Sequence, residues 1–406
     1  MRALDDIVVL DLSRVLAGPW CTQNLADLGA TVIKIEKPGE GDDTRRWGPI
    51  YLKDPETGAR ADSAYYLAAN RGKRSVTIDM ATEDGQKILR DLAAQADIVV
   101  ENYKLGGLKK YGLDYDSLAQ VNPRLIYCSI TGFGQTGPYA PRAGYDFIIQ
   151  GMGGLMSVTG ERDGLPGGGP QKAGVALADV MTGLYSTIAI LGALHQRDRT
   201  GQGQYIDMAL LDVQVAALAN QATYYLVGNE VPVRMGNGHA AIVPYQSFPT
   251  SDGHVIIAVG NDGQFGKLAD ELGHPEWKTD PRFATNIERL QHRAEIVAAI
   301  EAETRRRTMD DLIAALEKRA VPCGPINTVD RVFADPHVQA RGLQQTVPHS
   351  QQGTLPSVAS PLRLSASPVS YDRGPPLLGE HTGEVLRERL GLDEAALAAL
   401  RSRGVI

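Results

Sequence analysis

Short runs of aliphatic and β-branched residues recur through the first third of the chain, each separated by a helix-length segment. They are Ile7–Leu12 (IVVLDL), Thr31–Glu36 (TVIKIE), Ser75–Asp79 (SVTID), Asp97–Glu101 (DIVVE) and Leu125–Thr131 (LIYCSIT). Runs this short and this continuously apolar read as strands buried on both faces, which means a parallel sheet with helices on either side. The alternation therefore predicts a doubly wound, Rossmann-like α/β domain. The Gly-x-Gly-x-x-Gly fingerprint is missing after Ile7–Leu12, where the chain reads Ser-Arg-Val-Leu-Ala-Gly. A standard NAD-binding half is thereby excluded, and any nucleotide is held in another way.

From about Gly228 the pattern changes. Val243–Phe248 and Val255–Val259 flank the turn Ser251-Asp-Gly253, an antiparallel hairpin signal, and amphipathic helices follow to Lys318. The expected organisation is a large α/β domain over 1–227, a smaller α+β domain over 228–326, and a return segment over 327–406 that completes the first. Within the large domain, Leu211–Val227 reads as one apolar helix.

At 406 residues, with 43% hydrophobic and 22% charged content, the chain is long enough for two cores. A net charge of −7 argues against general nucleic-acid binding. Cys21, Cys128 and Cys323 lie far apart with no metal-ligand spacing, which suggests free thiols, no metal site and a cytoplasmic setting. No signal peptide and no apolar run of membrane-spanning length is read, so neither a membrane nor a nucleic acid is an expected partner.

One acid stands apart. Gly174–Arg197 (GVALADVMTGLYSTIAILGALHQR) is strongly apolar, and the acids nearest Asp179 are Asp163 and Asp198. Helical spacing of Leu184, Ile188 and Leu191 predicts a mostly buried helix with Asp179 at its start. Two readings are open. Asp179 is an N-cap, a role aspartate often fills, or it is a carboxylate nucleophile kept ionised by the free N–H groups of the helix end. Basic residues cluster after the expected strands, at Lys37, Arg71, Lys73, Arg74, Lys104 and Lys110, the pattern of a polyanion site at strand ends.

Five segments together carry a resemblance: Arg14–Pro19 (RVLAGP), Leu28–Glu36 (LGATVIKIE), Thr131–Pro138 (TGFGQTGP), Asp179 followed by Thr200–Gly203 (TGQG), and Pro376–Thr382 (PLLGEHT). In this order they resemble the class III CoA-transferases, the family that includes formyl-CoA transferase, from about Leu4 to the C-terminus. The wording around Gly41–Arg45, Trp47–Pro49, Tyr127–Thr131 and Ile242–Gln246 is most similar to the branch acting on succinate and hydroxymethylglutarate.

The resemblance implies an enzyme that moves CoA between an acyl-CoA and a carboxylic acid through aspartyl anhydride and aspartyl-CoA intermediates. CoA is then a substrate, with no tightly bound cofactor, and two ring-like chains interlock as a homodimer. It implies that Asp179 is the nucleophile and that Tyr145 lines the thioester site. Leu16 and Ala17 approach the CoA sulfur, while Lys37, Asn102, Tyr103, Lys104 and Lys110 hold the nucleotide. Gly260, Asn261, Asp262 and Gly263 form a mobile loop over the acyl group. Arg46 and His239 are candidates for a distal carboxylate of the substrate. Formyl-CoA transferase has glutamine where this chain has Leu16 and a glycine run where it has Asn261-Asp262, which argues against oxalate and formyl groups. An acyl-CoA racemase on the same fold is the nearest alternative, with a non-catalytic CoA-binding module behind it. Against the racemase, Tyr145 stands where such enzymes place a histidine.

Overall fold

The structure, a computed structural model, describes residues 2–406. Its contacts divide the chain into two units. The larger comprises residues 1–155, 173–223 and 336–406, and the smaller comprises 156–172 and 224–335.

The larger unit is built on a six-stranded parallel sheet. Its strands are β1 (Val8–Asp11), β2 (Thr31–Glu36), β3 (Lys73–Thr77), β4 (Ile98–Glu101), β5 (Ile126–Thr131) and β6 (Gln204–Ala209), in spatial order β3-β2-β1-β4-β5-β6. The chain winds outward from β1 in one direction and then from β4 in the other, so the topological switch lies between β1 and β4.

Strand residues divide by parity between two cores. Leu10, Ile33, Val99 and Tyr127 face a layer that includes Leu89 and Leu92 of helix Glu83–Ala93 and Val385, Leu386, Leu397 and Leu400 near the C-terminus. Val9, Val32, Ile98, Val100 and Ile126 face α1 (Ala17–Asp27), α2 (Asp146–Met152) and α3 (Leu177–Thr200). Two-sided burial explains why the strands lack polar alternation.

The third strand begins two residues earlier than the apolar run predicts, because Lys73 is itself buried in it and donates to Asp11 at 3.1 Å. The expected apolar helix over Leu211–Val227 is two helices, Leu210–Ala216 and Asn220–Gly228, broken at Ala219, which sits at φ +47°. The C-terminal PLLGEHT motif is an anchor on β3. The Gly379 N–H donates to Ser75 Oγ at 2.9 Å, and Thr382 Oγ1 accepts the Thr77 N–H at 3.0 Å.

The 24-residue helix α3 also corrects an expectation, since by length and mean hydropathy it is long and apolar enough to cross a membrane. In the fold one face of it packs on α1 and the sheet through Ala178, Thr182, Gly183, Ser186, Ile190 and Leu194. Gly183 allows that close approach, for a side chain there would lie 2.8 Å from the Ala17 carbonyl oxygen and 3.0 Å from Trp20. The opposite face, with Leu184, Ile188 and Leu191, is exposed.

The smaller unit has a three-stranded antiparallel sheet of Tyr245–Pro249, His254–Ala258 and Cys323–Pro325. Phe248, Val255 and Ile257 pack there on Phe265, Leu268, Ile296 and Leu312 of its helices. Residues 156–172 belong to it because Arg234 bonds to the carbonyls of Ser157 and Glu161 and pairs with Asp163.

Candidate active site

The loop from β1 into α1 is held under strain. Val15 adopts φ +71°, a left-handed conformation that a β-branched residue rarely takes. Its N–H points at both carboxylate oxygens of Asp42, at 3.2 and 3.3 Å. Asp42 is fixed in turn by the buried ammonium of Lys34 at 2.9 Å, and Lys34 also donates to the Ser13 carbonyl at 3.0 Å. Burial alone would push Asp42 upward; Lys34 and the Thr44 hydrogen bonds outweigh it and hold the carboxyl down to about 2. Leu16 and Ala17 follow at the head of α1, both with buried side chains. The Ala17 N–H lies in the first turn, where helix geometry leaves it without an intrahelical acceptor.

Asp179 is the third residue of α3, not its cap. Ala176 occupies the N-cap position and makes no side-chain cap bond. The cap comes from α2: Asp146 Oδ1 accepts the N–H groups of Ala178 at 2.9 Å and Asp179 at 3.3 Å. Asp146 Oδ2 accepts from the buried amide of Gln150 at 2.7 Å, and Gln150 Oε1 takes the Ala173 N–H at 2.9 Å. The free N–H groups expected to hold Asp179 ionised are therefore occupied by Asp146. Asp179 keeps a half-buried carboxylate that makes no hydrogen bond among the described residues. Burial, with Asp146 adding repulsion, pushes its carboxyl up to about 7.

A close glycine contact sets the position of α2. A Cβ on Gly132, just beyond β5, would sit 2.4 Å from the Gly144 Cα, so both residues must be glycine for Tyr145 and Asp146 to lie where they do. Tyr145 is the N-cap residue of α2, and its side chain is exposed. Tyr65, which the sequence reading passed over, feels this pair as well: burial raises its phenol, and the negative charges of Asp179 and Asp146 raise it further. The Tyr65 ring packs edge-on to Trp47 at 5.5 Å between centroids.

Most of the cations expected near the site are already paired, and so is Arg45. Arg45 is buried in a fork on Glu36, at 2.8 and 2.7 Å, and also meets Asp62; Arg71 clamps Asp27; Arg74 pairs with Glu384 and Glu388. Arg71, Lys73 and Arg74 precede or open their strand, so they do not belong to a cation cluster at its far end. Arg46 is exposed, beside Trp47, and forms no ion pair among the described residues. His239 lies in the smaller unit, where its Nδ1 accepts the Ala241 N–H at 3.1 Å and its ring packs on Tyr245.

A cavity of about 590 Å³ opens beyond the ends of β2, β3 and β4. It gathers Lys37, Tyr103, Lys104 and Lys110 with Arg14, whose guanidinium sits 5.4 Å from the Tyr103 ring centre. Lys37 pairs with Glu40 at the mouth. Asn102 is beside the cavity and spends its amide on the backbone: Oδ1 accepts the Arg14 N–H at 2.9 Å and Nδ2 donates to the Arg14 carbonyl at 2.6 Å. That clasp ties β4 to β1 at the switch point.

Gly260–Gly263 belong to the smaller unit and open helix α4 (Asp262–Glu271). Asn261 caps it by accepting the Gln264 N–H at 2.9 Å, Gly260 donates to Gln264 Oε1 at 2.7 Å, and Asp262 pairs with the buried Arg289 at 2.7 Å. The expected glycine loop is thus half helix and tied at three points.

Known proteins resemble the chain along its whole length. The pattern of CoA-transferase family III matches residues 4–382. A succinate–glutarate CoA-transferase of Agrobacterium fabrum is 52% identical over 393 residues, covering 97% of both chains. A succinyl-CoA:glutarate CoA-transferase of Mus musculus is 42% identical, covering 100% of this chain and 91% of the relative. A solved structure of a CAIB/BAIF family protein from Brucella suis superposes with a TM-score of 0.86 at 54% identity, over 96% of this chain and 100% of that one. The chain therefore belongs to CoA-transferase family III, enzymes that take CoA thioesters as substrates.

Proposed function

We propose that this chain moves CoA between succinyl-CoA and a dicarboxylate acceptor such as glutarate, with Asp179 as the covalent nucleophile. The observation that carries the reading is the Asp179 carboxylate itself, half-buried and making no hydrogen bond among the described residues, because Asp146 has taken the helix cap. A carboxylate that no hydrogen bond or cation stabilises is more basic, and so more nucleophilic, than a capped one. The names of the relatives support the succinyl donor and the glutarate acceptor.

The reaction balances without an external reagent. Asp179 attacks the donor thioester, the C–S bond breaks, and a mixed anhydride and CoA thiolate form. The thiolate attacks the aspartyl carbonyl, releasing succinate and leaving an aspartyl-CoA thioester. The acceptor carboxylate attacks that thioester, and the returning thiolate takes the acceptor acyl group, regenerating Asp179. Each tetrahedral oxyanion needs a donor, and the first-turn N–H of Ala17 is one candidate. The head of α2 at Tyr145 is another. The basic cavity of Lys37, Lys104 and Lys110 suits the nucleotide phosphates, and Arg46 suits the distal carboxylate of a dicarboxylate.

The apolar stripe Leu184, Ile188 and Leu191 on α3 supports a homodimer, since such a face is otherwise left in water. Three free thiols support a reducing, cytoplasmic setting. The decisive test incubates the protein with succinyl-CoA and glutarate and follows glutaryl-CoA by mass spectrometry. Product from the native chain, none from Asp179→Ala, and a CoA adduct on the peptide containing Asp179 are expected. Equal product from both proteins overturns the assignment.

A further inference from the structure

Glu101 breaks a rule that the rest of the larger unit obeys. Five acids are buried among the described residues: Asp11, Asp27, Glu36, Asp42 and Glu101. Asp11 pairs with Lys73, Asp27 with Arg71, Glu36 with Arg45 and Asp42 with Lys34. Glu101, 5% exposed, pairs with no cation among the described residues. Its recorded partner is the Tyr103 N–H at 2.7 Å, and the Ser129 hydroxyl also favours its charged form. Burying an unpaired carboxylate is costly.

Glu101 lines a second cavity, of about 400 Å³, which shares the Tyr103–Gly107 loop with the basic one. Its walls include Tyr115, Tyr127 and Tyr205, whose ring centres lie 5.4 to 6.0 Å apart. Gln135 donates its amide to Ser129 Oγ at 3.0 Å, which leaves Gln135 Oε1 to accept, and the Tyr127 hydroxyl is committed to the Leu113 carbonyl at 3.0 Å. Lys104, Lys109, Asp114 and Asp116 also line it, two charges of each sign.

We propose that this cavity binds an organic ammonium, a primary amine on an aromatic or short aliphatic body. The cation would supply the charge that Glu101 lacks, its N–H groups would meet the carboxylate and Gln135 Oε1, and its body would lie against tyrosine faces, which attract cations. The cavity shares only the Tyr103–Gly107 loop with the basic one. A bound amine is thus placed to alter CoA affinity through that loop.

The test is calorimetric titration of the full-length protein with benzylammonium and with its neutral isostere, benzyl alcohol, at a pH of about 8, above the value near 7 to which burial pushes Glu101, so that the carboxylate is largely ionised. Benzylammonium should bind at least ~10-fold more tightly than the alcohol, and Glu101→Gln should erase the difference. Saturating CoA should change the ammonium affinity without displacing it. Should Glu101→Gln fail to fold, the native protein's pH profile replaces it. Burial pushes Glu101 up to about 7, so ammonium affinity should fall as pH drops below that value and level off above it. Overturning results are equal binding of amine and alcohol, no heat from the amine, an unchanged affinity in Glu101→Gln, a pH-independent affinity, or one-for-one competition with CoA.

Discussion

Asp146 Oδ1 accepts the N–H of Asp179 at 3.3 Å and that of Ala178 at 2.9 Å, so one carboxylate caps the helix that carries the other. Had Asp179 capped its own helix, its oxygens would have been turned toward backbone donors and held at low basicity. Moving the cap to a neighbouring helix separates the structural task from the chemical one.

The first consequence concerns pH. Burial and Asp146 push Asp179 up to about 7. The ionised form attacks, so kcat/KM for succinyl-CoA should rise with pH along an acid limb near that value and then flatten. Stability moves the opposite way. The unfolded chain ionises Asp179 near the ordinary value of ~4, so native stability is full below it and declines as pH rises toward 7. Asp179→Asn should therefore lose transfer by roughly 10³-fold or more and melt no lower than the native protein at a pH of about 8. An Asp179→Asn protein that melts well below native would show the carboxylate to be structural.

Asp146 can be separated from its partner by two substitutions. Asp146→Asn keeps an oxygen for the cap and removes the charge, which should shift the acid limb of the kcat/KM profile to lower pH, with a modest loss of Tm because its amide then faces the Gln150 amide. Asp146→Ala removes the cap as well, at a cost of about 1 kcal/mol. An unmoved acid limb in Asp146→Asn would mean that the charge of Asp146 does not reach Asp179.

Much of this arrangement was legible in the sequence, and what was missed has a common physical cause. The parallel sheet follows from the apolar runs, because burial on both faces leaves no other reading of IVVLDL or TVIKIE. Asp179 stood out because no other acid lies between Asp163 and Asp198. The role of Asp146 did not, since it depends on a contact spanning 32 residues and made possible by two glycines touching. Lys73 reads from sequence as one cation of a polyanion site, and Lys34 draws no reading at all; only the folded sheet brings them to Asp11 and Asp42. Residues 260–263 looked like a loop because they contain two glycines, whereas Asn261 turns their second half into a capped helix.

Arg46 emerges by elimination. Arg45, Arg71 and Arg74 are held in ion pairs, whereas Arg46 is exposed beside Trp47, which packs on Tyr65. Arg46→Met should raise KM for glutarate while leaving that for valerate nearly unchanged, reducing the native preference between them. A single charged contact is worth about 100-fold, roughly 2.7 kcal/mol. If the variant discriminates the two acids as well as the native enzyme, the distal carboxylate is held elsewhere.

The strained loop gives the last prediction. Val15 sits at φ +71°, where an L-residue loses about 1–2 kcal/mol relative to the ordinary helical region and glycine loses almost nothing. Glycine gives back about 0.5–1 kcal/mol through the greater freedom of the unfolded chain. Val15→Gly should therefore be no less stable than the native protein and raise Tm slightly. Its transfer rate should nevertheless fall, because Leu16 and Ala17 are then tethered through a freer hinge. Asp42→Ala loosens the same loop at far greater cost: it strips the buried Lys34 of its counter-ion, and breaking such a pair costs about 3–5 kcal/mol. Thermal melts and kcat for both variants, measured side by side, separate strain from support. A Val15→Gly protein that loses stability as Asp42→Ala does would show that the valine side chain, and not the Asp42 hydrogen bond, holds the loop.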